Sequence, residues 1–258
     1  MLDPLHMALG AASGGLVGFS LGLVGGGGSI LAVPLMVYLV GVKSPHVAIG
    51  TSALAVAANA ATGLLQHARD HNVRWRCGLM YAAAGIIGAF GGSTLGKNFD
   101  GQKLLFLFAL LMLVVGALML RGRGNMGTPG ARCNRRNAPK VLGYGLGTGV
   151  FSGFFGIGGG FLIVPGLIAS TDMVMINAVG TSLVAVTAFG LTTAANYAFS
   201  GLVDWVLAAT FIAGGVVGGF GGTLLAKKLS GGGQLKAVFA VLIFVVAIYM
   251  LWKSWNAM

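Results

Sequence analysis

The stretch "LVGGGGSILAVP", residues 23–34, decides the fold, because it places four consecutive glycines inside a long apolar run and closes that run with a proline. Glycine and proline are the two residues that most disfavour a helix interior. The pattern returns at residues 154–165 as "FFGIGGGFLIVP". Each half of the chain therefore interrupts one apolar segment at a corresponding point.

The sequence around these breaks is typical of a membrane protein. Of the 258 residues, 56% are hydrophobic and 8% are charged, whereas about a quarter of the residues of a soluble domain are charged. The mean hydropathy is +0.89. Apolar runs long enough to cross the roughly 30 Å hydrocarbon layer lie at 46–68, 77–99, 104–120, 173–199, 203–226 and 235–252, and two more, 8–42 and 141–169, contain the glycine runs. We expect an all-α integral membrane protein.

The chain contains an internal duplication. Sliding it by 130 or 131 residues aligns Pro34 with Pro165 and the "GTS" at 50–52 with the "GTS" at 180–182. This alignment predicts two homologous transmembrane repeats, one over residues 1–120 and one over residues 141–258. Residues 121–140 are polar and carry six Lys or Arg, which predicts a flexible, basic cytoplasmic linker between the repeats.

The distribution of cations favours repeats of opposite orientation. If the broken segment returns to its own side of the membrane, the second half is inverted; if it crosses, the halves are parallel. With the linker inside, the inverted arrangement keeps twelve of the 16 cations inside and the parallel one keeps ten. Cationic loops tend to stay in the cytoplasm, so we expect inverted repeats with both termini outside. Each repeat then has a glycine-broken short helix pair plus three transmembrane helices, and the sequence leaves open whether the pair is re-entrant.

The glycine runs predict an anion site. Irregular backbone at membrane depth must be buried in protein or line a watery cavity. Short helices are expected over Ser29–Val40 and Phe161–Ala169, with their unpaired N–H groups and positive dipole ends facing the breaks. Paired discontinuous segments of this kind mark the midplane site of a transporter. The predicted backbone ligands are Gly26, Gly27, Gly28 and Ser29 in the first half and Gly158, Gly159 and Gly160 in the second.

Other glycines recur at every fourth residue, which is typical of helix-packing faces. Packing alone is the alternative explanation for the glycine runs too, but their glycines are bunched rather than spaced by four. The predicted packing faces are Gly10, Gly14, Gly18 and Gly22; Gly88, Gly92 and Gly96; Gly145, Gly149 and Gly153; and Gly214, Gly218 and Gly222.

Polar residues inside the third apolar element support a solute path. Ser52, Asn59 and Gln66 are spaced by seven and share one helix face. The duplicate lacks the middle member of this row, since Phe189 stands where Asn59 would be. The predicted substrate-binding side chains, in two non-equivalent half-sites, are Thr51, Ser52, Asn59, Thr181, Ser182 and Asn196. The alternative is interhelical hydrogen bonding, which is common in membranes.

No catalytic set is present in the sequence, so we expect no enzyme. The chain has no Glu, and its five Asp fall at predicted segment ends. The net charge of +11 comes from short loops beside apolar segments, a pattern that determines topology rather than nucleic-acid binding. Cys77 and Cys133 lack the spacing of a zinc or redox motif, which predicts two reduced thiols near the cytoplasmic face. No metal and no cofactor are expected.

In order and repetition, these motifs resemble the TauE/SafE family of membrane permeases. The duplicated glycine-rich break ending in proline, the "GTS" after it, and the helix ends "GAFGGSTLGKNF" and "GGFGGTLLAKKL" carry the resemblance over nearly the whole chain. The resemblance implies a multi-pass carrier of the bacterial inner membrane that exports sulfite or organosulfonates. The expected partners are a small-molecule anion and membrane lipid, and the glycine faces are compatible with a homodimer. An anion channel built on the same site is the alternative to a carrier.

Overall fold

The computed structural model describes residues 4–121, 128, 130, 133–156, 160–229 and 244–252. Over these residues the regular secondary structure is helical, and one isolated bridge joins Thr128 to Met173. Five of the helices are long and apolar enough to cross a membrane. The expectation of an all-α protein with several membrane-spanning helices is confirmed.

The helices follow the same order in both halves of the chain. The first half contains α1 (Pro4–Val24), the broken helix α2 (a 3-10 turn Gly25–Leu31, an α-helical piece Ala32–Pro34 and a π turn Leu35–Leu39), α3 (Pro45–Arg69), α4 (Trp75–Lys97) and α5 (Gly101–Arg121). The second half contains α6 (Ala138–Phe155), α7 (Gly160–Thr171), α8 (Met175–Ala198), α9 (Trp205–Leu229) and α10 (244–252). The N-terminal part of the run predicted at 235–252 lies outside the described residues.

The irregularity of α2 follows from its sequence. The ring of Pro34 removes the N–H that would bond to the carbonyl four residues earlier. Before the proline the helix is tightened into a 3-10 turn, and after it the helix widens, so that the N–H of Val40 donates to the carbonyl of Leu35 at 2.9 Å. The helix predicted over Ser29–Val40 is therefore present but is only briefly α-helical. The second one, α7, begins at Gly160, one residue before its predicted start.

Glycine faces hold α1 against α9 and α4 against α6. A Cβ added at Gly14 would overlap the backbone of Phe211 in α9, and one added at Gly92 would overlap the carbonyl of Val150 in α6. The helices come this close because no side chain stands between them, and close approach supplies the dispersion contacts that hold helices together in lipid. The predicted glycine packing faces are confirmed.

Both glycine seams join parallel helices from different halves. Gly14 meets Phe211 and Gly22 meets Gly219, so the numbering rises along α1 and α9 together. Along α4 and α6, Gly145 meets Tyr81, and the Gly149 and Gly153 contacts follow in the same direction. Each half thus contributes its first helix to a seam with the fourth helix of the other half.

The central pair of helices, α3 and α8, is antiparallel. Gly190 of α8 packs on Ala53 and Ala57 of α3, whereas Gly63, further along α3, packs on Leu183, earlier in α8. Both helices are largely buried, and α4 and α9 pack against them. The middle of the molecule is therefore formed by the polar-lined helices of both halves.

Cys77 and Cys133 form a disulfide, with their Cα atoms 5.4 Å apart. The prediction of two reduced thiols is wrong. That prediction rested on the spacing of the two cysteines alone, whereas in the fold Cys133 is only 2% exposed and packs with Cys77 and Met173 in the apolar core. The part of the linker around Cys133 is thus folded onto the helices, which spacing between the cysteines in the sequence could not indicate.

Candidate functional site

Gly25 and Gly156, the first glycines of the two breaks, share one backbone conformation and lie against equivalent parts of the other half. Gly25 and Gly156 both have left-handed backbone, with φ of +69° and +68°, a conformation that disfavours a Cβ. A Cβ at Gly25 would lie 2.7 Å from the side chain of Val179, in the first turns of α8, and one at Gly156 would overlap Ile49, in the first turns of α3. Since α3 and α8 are antiparallel, the two breaks enter the protein from opposite ends.

The short helices that follow the breaks meet in the interior. Helix α7 packs against the 3-10 turn Gly25–Leu31, the N-terminal part of α2. Ile30 and Phe161 are both fully buried in one apolar cluster. Of the predicted backbone ligands, Gly26, Gly27 and Gly28 lie in this 3-10 turn, Ser29 is fully buried beside them, and Gly160 begins α7. Gly158 and Gly159 lie outside the described residues.

The threonines of the two "GTS" motifs cap helices of the opposite half. The Oγ1 of Thr51 accepts a hydrogen bond from the N–H of Asp204 at 2.9 Å, just before α9. The Oγ1 of Thr181 accepts one from the N–H of Arg74, also at 2.9 Å, just before α4. Because α3 and α8 are antiparallel, these two contacts lie at opposite ends of the bundle, roughly 20 Å apart along α3 at 1.5 Å per residue.

The serines of the same motifs bond to their own helices. Ser52 donates to the carbonyl of Ile49 at 3.0 Å, and Ser182 donates to that of Val179 at 2.7 Å. Both side chains are fully buried. The four "GTS" side chains of the predicted site are therefore not brought together, but lie as two pairs near the two ends of the central helices.

Asn196 lies in a hydrogen-bonded cluster around Lys97. The Nζ of Lys97 donates to the carbonyl and to the Oδ1 of Asn196, at 3.1 and 2.8 Å, and to the hydroxyl of Ser200 at 2.9 Å. The Nδ2 of Asn196 donates to Ser93 at 2.6 Å and to Thr94 at 3.0 Å. Both ends of this amide are occupied, and the lysine supplies a cation at the C-terminus of α8, where helix carbonyls lack partners.

Asn59 has a different environment from the other five side chains. It lies near the middle of α3 and is 3% exposed. Neither its Oδ1 nor its Nδ2 has a hydrogen-bond partner within the part of the chain that the structure describes. Its amide rests on α9 at Gly215, where a Cβ would overlap it. An amide buried without partners costs about 1–3 kcal/mol, so this position favours a bound polar group.

The equivalent position in the other half is filled by an aromatic ring. Phe189 packs on Gly85 of α4, where a Cβ would overlap the ring, and it stacks on Tyr81 with centroids 6.4 Å apart. Phe189 is fully buried. The duplication thus produces two equivalent positions, Gly85 and Gly215. An apolar ring packs on the first, and on the second packs an amide that has no partner in the described ranges of the chain.

The match to known proteins agrees with this architecture. The chain matches the sulfite exporter TauE/SafE family over residues 10–250. It belongs to the TauE/SafE family. A "probable membrane transporter protein" of Xylella fastidiosa is 54% identical over 250 residues, covering 95% of both chains. The "probable membrane transporter protein YdhB" of Bacillus subtilis is 28% identical, over 80% of this chain and 85% of that protein. No solved structure matches the chain.

As a TauE/SafE membrane transporter, the protein needs polar groups in its interior, and sequence reasoning missed several. Ser13, Ser152 and Thr193 are fully buried, and their hydroxyls find no partner among the described residues. None of the three belongs to the row of Ser52, Asn59 and Gln66 or to its duplicate, so that spacing did not mark them. Gly85 and Gly215 were missed as packing positions, although the repeat alignment pairs them at a distance of 130 residues.

A groove of about 440 Å³ lies outside this central region of the TauE/SafE fold. It is lined by one face of α6 and by Leu162 of α7. Gly143 and Gly147 form part of its wall, and a Cβ at either would meet nothing within 4 Å. The groove is therefore on the side of α6 that faces away from α4, and it does not lie between Asn59 and Phe189.

Proposed function

We propose that this TauE/SafE transporter is a secondary carrier that exports a small sulfur-containing anion, such as sulfite or an organosulfonate, across the bacterial inner membrane. The family description supports the substrate class. Moving net negative charge outward is favoured by the membrane potential by about 2.3 kcal/mol per charge per 100 mV. Export would therefore need no ATP.

The two repeats are proposed to have opposite orientations in the membrane. The directions of the helices support this: α3 opposes α8, α1 follows α9, and α4 follows α6. Loops of a few residues reverse the chain between α3 and α4 and between α8 and α9. These directions make α1 and α3 parallel. The chain must therefore run back through α2 to the side where α1 began before α3 starts.

The orientation with the linker in the cytoplasm groups the cations on one side. The disulfide holds Cys133 beside the first turn of α4, next to the loop between α3 and α4, at or beside which Arg69, Arg74 and Arg76 lie. The linker and this loop therefore share one end of the bundle. A cationic end in the cytoplasm follows the positive-inside rule, and it would concentrate anions at the entrance of an exporter.

The observation that carries the proposed site is the amide of Asn59, which has no hydrogen-bond partner among the residues that the structure describes. Its Nδ2 can donate two hydrogen bonds to a sulfite or sulfonate oxygen, and its place near the middle of α3 supports binding near the bilayer midplane. The N-terminal part of α2 packs against α7 in the interior, and helix N-termini favour anions. The anion would pass between the end marked by Thr51 and the end marked by Thr181.

Thermal unfolding of the purified protein tests the site. Sulfite or a sulfonate at 100 times its Kd should stabilise the protein by about 2.7 kcal/mol, and equal concentrations of sodium chloride or a neutral sulfone should not. Asn59→Leu should lose this stabilisation because it removes both the carbonyl oxygen and the NH2 group of the side-chain amide. Phe189→Leu, the equivalent position in the other half, is the matched control and should keep it.

Gly28→Leu tests the role of the glycine break in the same assay. A side chain there should abolish the stabilisation if the backbone must approach the anion. Stabilisation retained in both Asn59→Leu and Gly28→Leu would place the anion elsewhere and refute the proposed site. In proteoliposomes, saturable flux is expected of a carrier, and continuous conductance would identify the channel alternative.

A further inference from the structure

The linker is attached to the helices at two places. Cys133 is bonded to Cys77 in the first turn of α4, and the two side chains are 2% and 1% exposed. Thr128 is bonded to the residue that follows α7: its N–H donates to the carbonyl of Asp172 at 2.6 Å and its hydroxyl donates to the carboxylate at 2.8 Å. We call these two attachments together the linker clasp.

The linker clasp connects the end of α7 to the start of α4. Asp172 has φ of +56° and ends α7, and Met173, which bridges to Thr128, packs in the same apolar cluster as Cys77 and Cys133. Within that cluster the disulfide is the covalent part of the attachment. Breaking it leaves the end of α7 connected to the linker by the hydrogen bonds of Thr128.

We propose that Cys77 and Cys133 form a reversible thiol–disulfide site, at which a cytoplasmic dithiol reductant releases the linker clasp and so frees α7 to move. The inference rests on the cytoplasmic linker of the proposed function. Disulfides in the cytosol are rare and are mostly transient or redox-sensing. Asn134, Arg135 and Arg136 are exposed directly after Cys133, so local opening can present its sulfur to solvent. Cations beside a thiol favour the thiolate that takes part in exchange.

The exchange is a balanced two-electron reaction. A thiolate of the reductant attacks the Sγ of Cys133, the Sγ–Sγ bond breaks, and Cys77 leaves as a thiolate that takes up a proton. The second thiol of the reductant then attacks the mixed disulfide and releases Cys133, which is also protonated. Two electrons and two protons pass to the cystine, and the dithiol becomes a disulfide.

Release of the clasp acts on the helix that carries half of the proposed anion site. Helix α7 is only 12 residues long, and it packs against the 3-10 turn Gly25–Leu31 that contains the first break. Holding its other end to α4 limits relative motion of the two elements. The oxidised protein should therefore exchange the backbone amides of residues 168–174 more slowly than the reduced protein.

Mass spectrometry on the full chain in lipid nanodiscs tests the site without any anion. The oxidised protein should take up no maleimide and the protein treated with dithiothreitol should take up two. Hydrogen exchange at 168–174 should rise by about fivefold or more on reduction, the lower end of typical coupling between sites. The Cys77→Ser/Cys133→Ser variant should exchange like the reduced protein with or without dithiothreitol, and the wild-type comparison stands alone if this variant fails to fold.

Three results would overturn the inference. One is two free thiols after mild oxidation with diamide, and a second is a disulfide whose reduction leaves exchange at 168–174 unchanged. The third is reduction by a membrane-impermeant phosphine added to intact cells, since the bond would then face outward as a permanent cross-link. A protein that binds no sulfur anion but passes these tests would refute the proposed function and leave this inference standing.

Discussion

Two adjacent glycines on α4 should respond in opposite directions to the same substitution. A Cβ at Gly92 would overlap the carbonyl of Val150 and lie 2.9 Å from the backbone N of Phe154. Both are backbone atoms of α6, so neither can rotate away. A Cβ at Gly91 would meet nothing within 4 Å. The change in backbone entropy is therefore the same for Gly91→Ala and Gly92→Ala. Only Gly92→Ala must also push α4 and α6 apart.

The magnitudes follow from these two terms. Gly91→Ala should stabilise the protein by up to about 1 kcal/mol, the difference in helix propensity between the two residues. Gly92→Ala gains the same amount but must separate α4 from α6, and overpacking of this kind costs about 1–3 kcal/mol. The net effect at Gly92 should be a loss of up to about 2 kcal/mol, and the two variants should differ by about 1–3 kcal/mol.

Reversible unfolding in mixed micelles, followed by tryptophan fluorescence as the fraction of denaturing detergent rises, measures both variants. The expected result is a higher midpoint for Gly91→Ala and a lower one for Gly92→Ala than for the wild type. Equal midpoints for the two variants would mean that α4 and α6 do not meet at Gly92, and would refute the parallel seam on which the helix directions depend.

The other predictions use the same unfolding assay. Thr51→Val and Thr181→Val should each cost about 1–3 kcal/mol, because each leaves a backbone N–H at the start of a helix without its acceptor; an unchanged midpoint with lost anion binding would instead make these threonines substrate ligands. Lys97→Met should cost about 1 kcal/mol and should leave anion-dependent stabilisation intact. Gly201→Ala should cost about 1 kcal/mol from its positive φ alone. Gly156→Ala should cost about 1–3 kcal/mol more, because its Cβ also overlaps a side chain. Equal losses would show that Gly156 is not packed against Ile49.

Periodicity and composition predicted the elements of the fold well. The spacing of Gly14, Gly18 and Gly22 identified a packing face, and the proline-terminated glycine runs identified the interrupted helices, because both signals are local in sequence. Local signals do not name a partner. Gly14 meets Phe211 because of how the two halves pack together. The sequence of one helix face does not indicate which distant helix will cover it.

The site was harder to predict for the same reason. Ser52 and Asn59 share a helix face, as their spacing requires, yet Ser52 bonds to its own helix while Asn59 lacks a partner within the described part of the chain. The difference lies in the neighbour: Asn59 faces the bare backbone of Gly215. Cys133 is a similar case, since its burial depends on how the linker folds back over α4.

Asn59 and Phe189 occupy equivalent positions in the two halves, and the difference between them supports a ligand at Asn59. Gly85 and Gly215 are equivalent and both lack a side chain. Each therefore leaves room for either an aromatic ring or an amide on the facing helix. The chain packs the apolar ring of Phe189 on Gly85 and the polar amide of Asn59 on Gly215, and burying that amide costs free energy unless a polar ligand satisfies it. Two equivalent positions with amides would form two anion sites whose charges repel, whereas one amide and one ring form a single site with an apolar wall opposite. The amide of Asn59, which has no hydrogen-bond partner among the described residues, is thus more simply explained by a ligand than by packing, because packing has an apolar solution that the other half of the same chain already uses.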